Sequence, residues 1–154
     1  MGVADLRESS HPGATITTHG LGSCLGITCY DRSRCIGALL HAMLPTAKKH
    51  SGSAPAAAMY LDTGLAALCD TMALLGSEPR TCQFKIFGGA QTLKACAYFR
   101  IGQQNIDMMR RLATKHNLDV PVWDVGGQDN RTITLHLETG LVFVRMPGRL
   151  PALL

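Results

Sequence analysis

CLGITCYDRSRCIGALLHAML, residues 24–44, decides how this chain is to be read. Two apolar runs, CLGITCY (24–30) and CIGALLHAML (35–44), flank the polar tetrapeptide DRSR, the pattern of two strands joined by a tight turn. Pro45 closes the second run. With DRSR as a four-residue hairpin loop, Tyr30 pairs with Cys35 and Cys24 stands directly opposite His41. A two-residue turn at Arg32-Ser33 keeps the same register. Partners across such a ladder share a face, with Cβ atoms ~4.5–5.5 Å apart. A loop of odd length would send the two side chains to opposite faces.

Outward from this hairpin, residues 1–13 read as a flexible leader ending at Pro12-Gly13, and 14–18 as a strand entering a Gly20/Gly22 loop. Downstream, residues 46–55 (TAKKHSGSAP) form a polar, small-residue loop with the composition of a mobile segment. Leu61, Leu65, Leu68, Met72 and Leu75 then recur at helical spacing, with Ser53 available to cap the start and Gly76 the end. CQFKIF (82–87) is a strand running into Gly88-Gly89, and 103–116 is a second helix stopped by Asn117. The last third returns to strands: VPVWDV, a GGQDN turn, RTITLHL with one wet face, an ETG turn and LVFVRM, leaving 147–154 as a tail. No internal repeat or linker divides the chain. The fold class is α/β: a single-domain layered α/β sandwich with a mixed, largely antiparallel sheet and two main helices.

The 154 residues are enough for one core, since a domain of this size buries about 70% of its unfolded-chain surface. A net charge of +4, with basic residues scattered and not interleaved with aromatics, argues against nucleic acid as a partner. The polar start MGVADLRESSHPG lacks a signal-peptide layout, Leu6 breaks the myristoylation pattern, and no apolar run approaches the ~18 residues of a membrane span. The expected setting is cytoplasmic, with the six cysteines reduced and mostly acting as small core hydrophobes. Neither cysteines nor histidines stand at metal-ligand spacings, so no metal and no cofactor is assigned. GLGSCLG has Leu25 at the third glycine position of a dinucleotide loop, and no strand–loop–helix accompanies it.

Cys24 and His41 are the chemically interesting pair. By residue type alone Cys24 reads as core packing, His41 as a satisfied core histidine and Thr18 as an ordinary strand residue. Side by side, an imidazole can take a thiol's proton, and the resulting thiolate attacks a carbonyl while the imidazolium protonates the departing nitrogen. Thr18, across the glycine loop, is a candidate to hold the imidazole through its hydroxyl or its carbonyl, and backbone N–H groups near Ser23 and Cys24 could receive an oxyanion. Cys29, five residues along the strand from Cys24, faces the other side and is no resolving partner for a redox thiol. Asp124 and Asp129, beside glycines and Asn130, read as turn residues. The rival from another class is a binding module in which Cys24 is inert.

Five ordered blocks carry a resemblance: T-x-G-L-G-S-C at 18–24, HAMLP at 41–45, KIFGGA at 85–90, IGQQNI at 101–106 and DVGG-x-x-x-R…TG at 124–140. Together they are similar to the CheD family, the bacterial chemoreceptor glutamine deamidases, over residues 14–146. The resemblance implies a compact α/β sandwich related to toxin deamidases, with Cys24 as nucleophile, His41 as base and acid, and Thr18 as third member. It also implies as substrate a glutamine on the helical cytoplasmic part of a methyl-accepting chemoreceptor, cleaved through a thioester. Receptor methylesterase activity and a CheC-type phosphatase partner follow from the same resemblance; an adaptor docking on either protein is the non-catalytic alternative.

Overall fold

The computed structural model describes residues 1–47, 56–91 and 100–154. Its centre is the antiparallel pair β3 (Leu25–Asp31) and β4 (Ile36–Ala42), every residue of which is buried. Burial on both faces explains why these segments read as nearly continuous apolar runs. Around them lie β1 (Asp5–Ser9), β5 (Gln83–Gly88) and β6 (Asp119–Val125), giving a five-stranded sheet ordered β1-β4-β3-β5-β6. Within this sheet, among the described residues, β5 and β6 are the one parallel pair, and the crossover between them carries helix α2 (Ile101–His116). A four-stranded antiparallel sheet, β2 (Thr15–Leu21), β7 (Arg131–His136), β8 (Val142–Arg145) and β9 (Ala152–Leu153), lies against one face. The expected α/β sandwich with a mixed, largely antiparallel sheet and two main helices is therefore present, in three layers.

Two cores result. Helix α1 (Leu61–Leu74) and α2 pack Leu65, Leu68, Met72, Ile106 and Met109 against Leu25, Ile27, Ala38 and Leu40 on the outer face of the five-stranded sheet. The inner face sends Leu39, Tyr30 and Phe87 to meet Leu21, Ile133, Leu135 and Val144 of the second sheet. Tyr30 ties the two sheet layers together by a hydrogen bond, its hydroxyl donating to the Leu137 carbonyl at 2.9 Å.

Several sequence expectations change. The hairpin loop is Arg32–Cys35, one residue later than DRSR. Asp31 stays in the strand and turns its carboxylate onto the Ser33 amide (2.9 Å) and hydroxyl (2.7 Å), while Cys35 closes the loop with φ 53°. The loop keeps four residues, so the register moves by two: Gly26, not Cys24, stands opposite His41. A two-residue shift preserves the face. Residues 1–13 are not a loose leader, because β1 pairs along β4 from Asp5↔His41 to Ser9↔Gly37. Its charged residues suit a sheet edge, which is why it reads as unstructured. The 147–154 tail likewise carries β9, paired with β8. Tyr60, without a side-chain cap bond, occupies the N-cap of α1; Ser53 and the 48–55 part of the supposed mobile loop lie outside the described residues, as do His50 and Cys96. Gly76 and Asn117 do close their helices in the left-handed region (φ 84° and 51°).

Removing the inter-sheet bond isolates its contribution. Tyr30→Phe leaves the Leu137 carbonyl unpaired and is expected to lower stability by about 1–2 kcal/mol. The check is a urea unfolding curve whose midpoint falls at constant slope.

Candidate functional site

His41 lies fully buried on β4 with its ring in the space between the sheets, where a charged or unpaired imidazole is unfavourable. Thr18, equally buried on β2 of the facing sheet, meets it there: Thr18 Oγ1 and His41 Nδ1 are 2.8 Å apart. The hydroxyl of Thr18 also donates to the Met1 carbonyl at 3.3 Å. A hydroxyl has one proton to give, so with that proton directed to Met1 the oxygen accepts from Nδ1–H. This tautomer leaves Nε2 unprotonated, and Nε2 is buried without a hydrogen-bond partner among the described residues.

Just beyond Thr18, β2 carries a bulge: the register with β7 shifts between Thr18 and Leu21, with His19 and Gly20 exposed and Gly20 at φ 68°. The chain then turns through Gly22 and Ser23 into Cys24, which is half-buried against the inter-sheet core immediately before β3. Cys24 and His41 therefore share the inner face, displaced diagonally by one step of the ladder. Diagonal neighbours have Cβ atoms about 7 Å apart, within reach of an imidazole. They are not hydrogen-bonded, in contrast to the direct opposition that the DRSR register predicts. Gly26 occupies the place opposite His41, and a Cβ there would lie 2.8 Å from Leu21 and 2.9 Å from Ile133.

Backbone contacts hold the cysteine in place. The Cys24 carbonyl accepts from Gly89 N (2.8 Å) and the Gly22 carbonyl from Ala90 N (2.7 Å). Gly88, at φ 104°, lies so close that any Cβ would collide with the Cys24 carbonyl oxygen. Outside this ladder, the turn after β6 docks through Gly126 N on Gly88 O (2.8 Å) and Gln91 N on Gly127 O (2.8 Å). Arg131 fixes that turn, pairing bidentately with Asp124 (3.0 and 3.2 Å) and donating to the Gly126 and Asp129 carbonyls. Asp124 is therefore not the turn residue the sequence suggests: it lies in β6 and anchors the following turn through Arg131, while Asp129 pairs with the exposed Arg149.

Burial shapes the two ionisable groups in opposite senses. It pushes the Cys24 thiol above its ordinary 9.0, partly offset by a hydrogen bond from its own amide. It holds the His41 imidazole below its ordinary 6.5, helped by the Met1 ammonium and opposed by Asp5. Both shifts favour the neutral pair over a resting thiolate–imidazolium. The chemistry such a pair supports is base-assisted attack, with the proton moving as the sulfur–carbon bond forms. Cys29 and Cys82 lie in the helix-side core, on the face away from Cys24, and the five described cysteines are free thiols. His11, His19 and His116 are exposed and His136 half-buried; no cluster able to hold a metal ion occurs among the described residues.

Comparison with known proteins converges on one family. The family model for CheD chemotactic sensory transduction matches residues 43–146. The chain belongs to the CheD family. Its CheD relatives include the "Probable chemoreceptor glutamine deamidase CheD 1" of Syntrophus aciditrophicus, 37% identical over 147 residues and covering 95% of this chain and 92% of the relative. The "Probable chemoreceptor glutamine deamidase CheD" of Thermococcus kodakarensis is 39% identical over 147 residues, covering 94% and 90%. That of Haloarcula marismortui is 34% identical over 146 residues, covering 94% and 83%. The CheD model begins just after His41, so Thr18, Cys24 and His41 precede the segment it matches.

One further polar residue near the candidate site has no role among the sequence expectations. Asn105, within the IGQQNI block, is fully buried on the inward stripe of α2 among Ile106, Met109 and Leu112. Its signal in the sequence is an amide where the helical period calls for an apolar side chain.

The close approach at Gly88 is testable. Gly88→Ala places a methyl against the Cys24 carbonyl at a backbone angle L-residues rarely adopt, and is expected to destabilise by about 2–4 kcal/mol. Thermal melting together with the rate of Cys24 alkylation reads both the loss and the displaced thiol.

Proposed function

We propose that this chain deamidates glutamine side chains of methyl-accepting chemoreceptors, with Cys24 as nucleophile, His41 as base and then acid, and Thr18 as the group that holds the imidazole. The observation that carries the reading is the Thr18–His41 hydrogen bond between the sheets, which leaves Nε2 unpartnered on the face shared with Cys24. The names of the CheD relatives support the same substrate class.

As the Cys24 sulfur bonds to the glutamine Cδ, its proton passes to His41 Nε2. The imidazolium gives that proton to the nitrogen as the C–N bond breaks, and ammonia leaves. Water then attacks the thioester carbon, His41 takes a proton from the water, and the proton returns to the sulfur as the C–S bond breaks. The net change is glutamine plus water to glutamate plus ammonia. The Cys24 amide, which hydrogen-bonds its own sulfur, is a donor beside the reacting atom for the developing oxyanion. A cytoplasmic setting fits a substrate on the receptor's cytoplasmic helices, and no helix among the described residues is long and apolar enough to cross a membrane. A CheC-type phosphatase is the regulatory partner in this reading.

Incubation with receptor fragments is expected to release ammonia and raise the mass of the target peptide by ~1 Da, as an amide becomes an acid. Cys24→Ala should abolish turnover while receptor binding persists, and His41→Ala should lower kcat by about 10²–10⁴-fold. An adaptor would keep its cellular function without Cys24, and that outcome would remove the enzymatic reading.

The pH profile follows from the burial of His41. Its proton leaves more readily than from an exposed histidine, so the base form survives into more acidic solution. The acidic limb of kcat/KM is expected to fall at a pH below 6.5. A limb at or above that value counts against His41 as the base.

A further inference from the structure

Asn105 is the strongest feature that the proposed reaction leaves unused. Its side chain is fully buried, yet only half of its hydrogen-bonding capacity is satisfied: Oδ1 has no partner among the described residues. A leucine or methionine at this position of α2 would fill the same volume without an unpaired polar atom. What the amide does make is specific. Nδ2 donates to the Ser23 carbonyl at 2.9 Å and to the Met43 carbonyl at 3.0 Å. The opposite amide orientation would set Oδ1 against two carbonyl oxygens, so the donors must face them.

Those carbonyls belong to the residue immediately before Cys24 and the residue two beyond His41. The β3–β4 ladder has its last pair at Leu25↔Ala42. Past that pair the ladder supplies no further cross-strand bond between the segment bearing Cys24 and the one following His41. Asn105 bridges them from the helix layer, on the side of the sheet away from the His41–Thr18 contact. Its hydrogen bonds go to backbone carbonyls and not to the imidazole or the thiol.

We infer that Asn105 is a positioning residue that cross-links the Ser23 and Met43 carbonyls and so sets the separation of Cys24 from His41. The inference rests on the deamidase reading for its consequence in turnover, but its geometric content concerns the thiol and the imidazole alone. Because the two groups are diagonal neighbours and not direct partners, small changes at the open end of the ladder alter their reach. A misplacement of about 1 Å at a reacting pair can cost ~10²-fold in rate.

The test compares wild type, Asn105→Ala, Asn105→Asp, His41→Ala and the double variant H41A/N105A. Asn105→Asp keeps the shape and loses both donors, so it serves if the alanine variant does not fold; thermal melting sets a temperature at which each variant is native. Iodoacetamide labelling of Cys24, followed by mass spectrometry, is measured at neutral pH and at a pH where thiols ionise unaided. Asn105→Ala and Asn105→Asp are expected to lose about 10–100-fold of the neutral-pH rate and retain the high-pH rate. In the His41→Ala background the same change should add no further loss, because the two act through one alignment. On receptor fragments kcat should fall by the same factor while KM is unchanged.

Wild-type labelling and turnover in both Asn105 variants overturn the inference, as does an equal loss in the His41→Ala background, which would mean general loosening. Absence of ammonia release by wild type, with neutral-pH labelling still dependent on His41 and Asn105, overturns the deamidase reading and leaves the positioning role standing.

Discussion

A histidine with no solvent exposure, set between two apolar sheet faces, must find its partners within the protein or remain unsatisfied. In this chain His41 finds one: the Thr18 hydroxyl from the opposite sheet, at 2.8 Å from Nδ1. That single bond orients the ring and ties the sheets together beside the site. Packing the second sheet against the first is what dries this space, and dryness is what keeps His41 neutral and the Cys24 thiol protonated. The layered architecture and the chemical state of the pair therefore have one cause.

The cysteine is held by a different device. Its neighbours are backbone, not side chain: Gly89 and Ala90 extend β5 past its end to grip the Gly22 and Cys24 carbonyls. Such a close approach demands glycine at 88, and the turn fixed by Arg131 and Asp124 supports it from outside. The thiol of Cys24, the proposed nucleophile, is thereby mounted from a loop onto rigid strands, the arrangement that preorganisation requires. Asn105 completes the frame from the helix layer by joining the ends of β3 and β4.

The hairpin spacing correctly places Cys24 and His41 on one face, yet misjudges which residues are opposite. The cause is local chemistry at Asp31, whose carboxylate satisfies Ser33 and keeps Asp31 in the strand, so the loop slides by one residue. The error was harmless to the face because the loop length stayed even. Strand β1 leaves no apolar signature for another reason: an edge strand pairs on one side only and tolerates charge, as at Asp5, Arg7 and Glu8. Strand β9 is only two residues long, too short for any period.

By itself the sequence determined the elements whose pattern is written in local periodicity. These are the doubly buried central strands, the two amphipathic helices with Gly76 and Asn117 at their ends, and the alternating RTITLHL strand. It also determined the candidate chemistry, since a thiol, an imidazole and a hydroxyl around a glycine loop are legible as residue types. Only the tertiary structure decided that Thr18 reaches His41 through its hydroxyl, that Gly26 and not Cys24 faces the imidazole, and that Asn105 braces the site from 82 and 62 residues away. Contacts between distant segments depend on how two sheets and a helix layer stack, and stacking leaves no periodic trace in the chain.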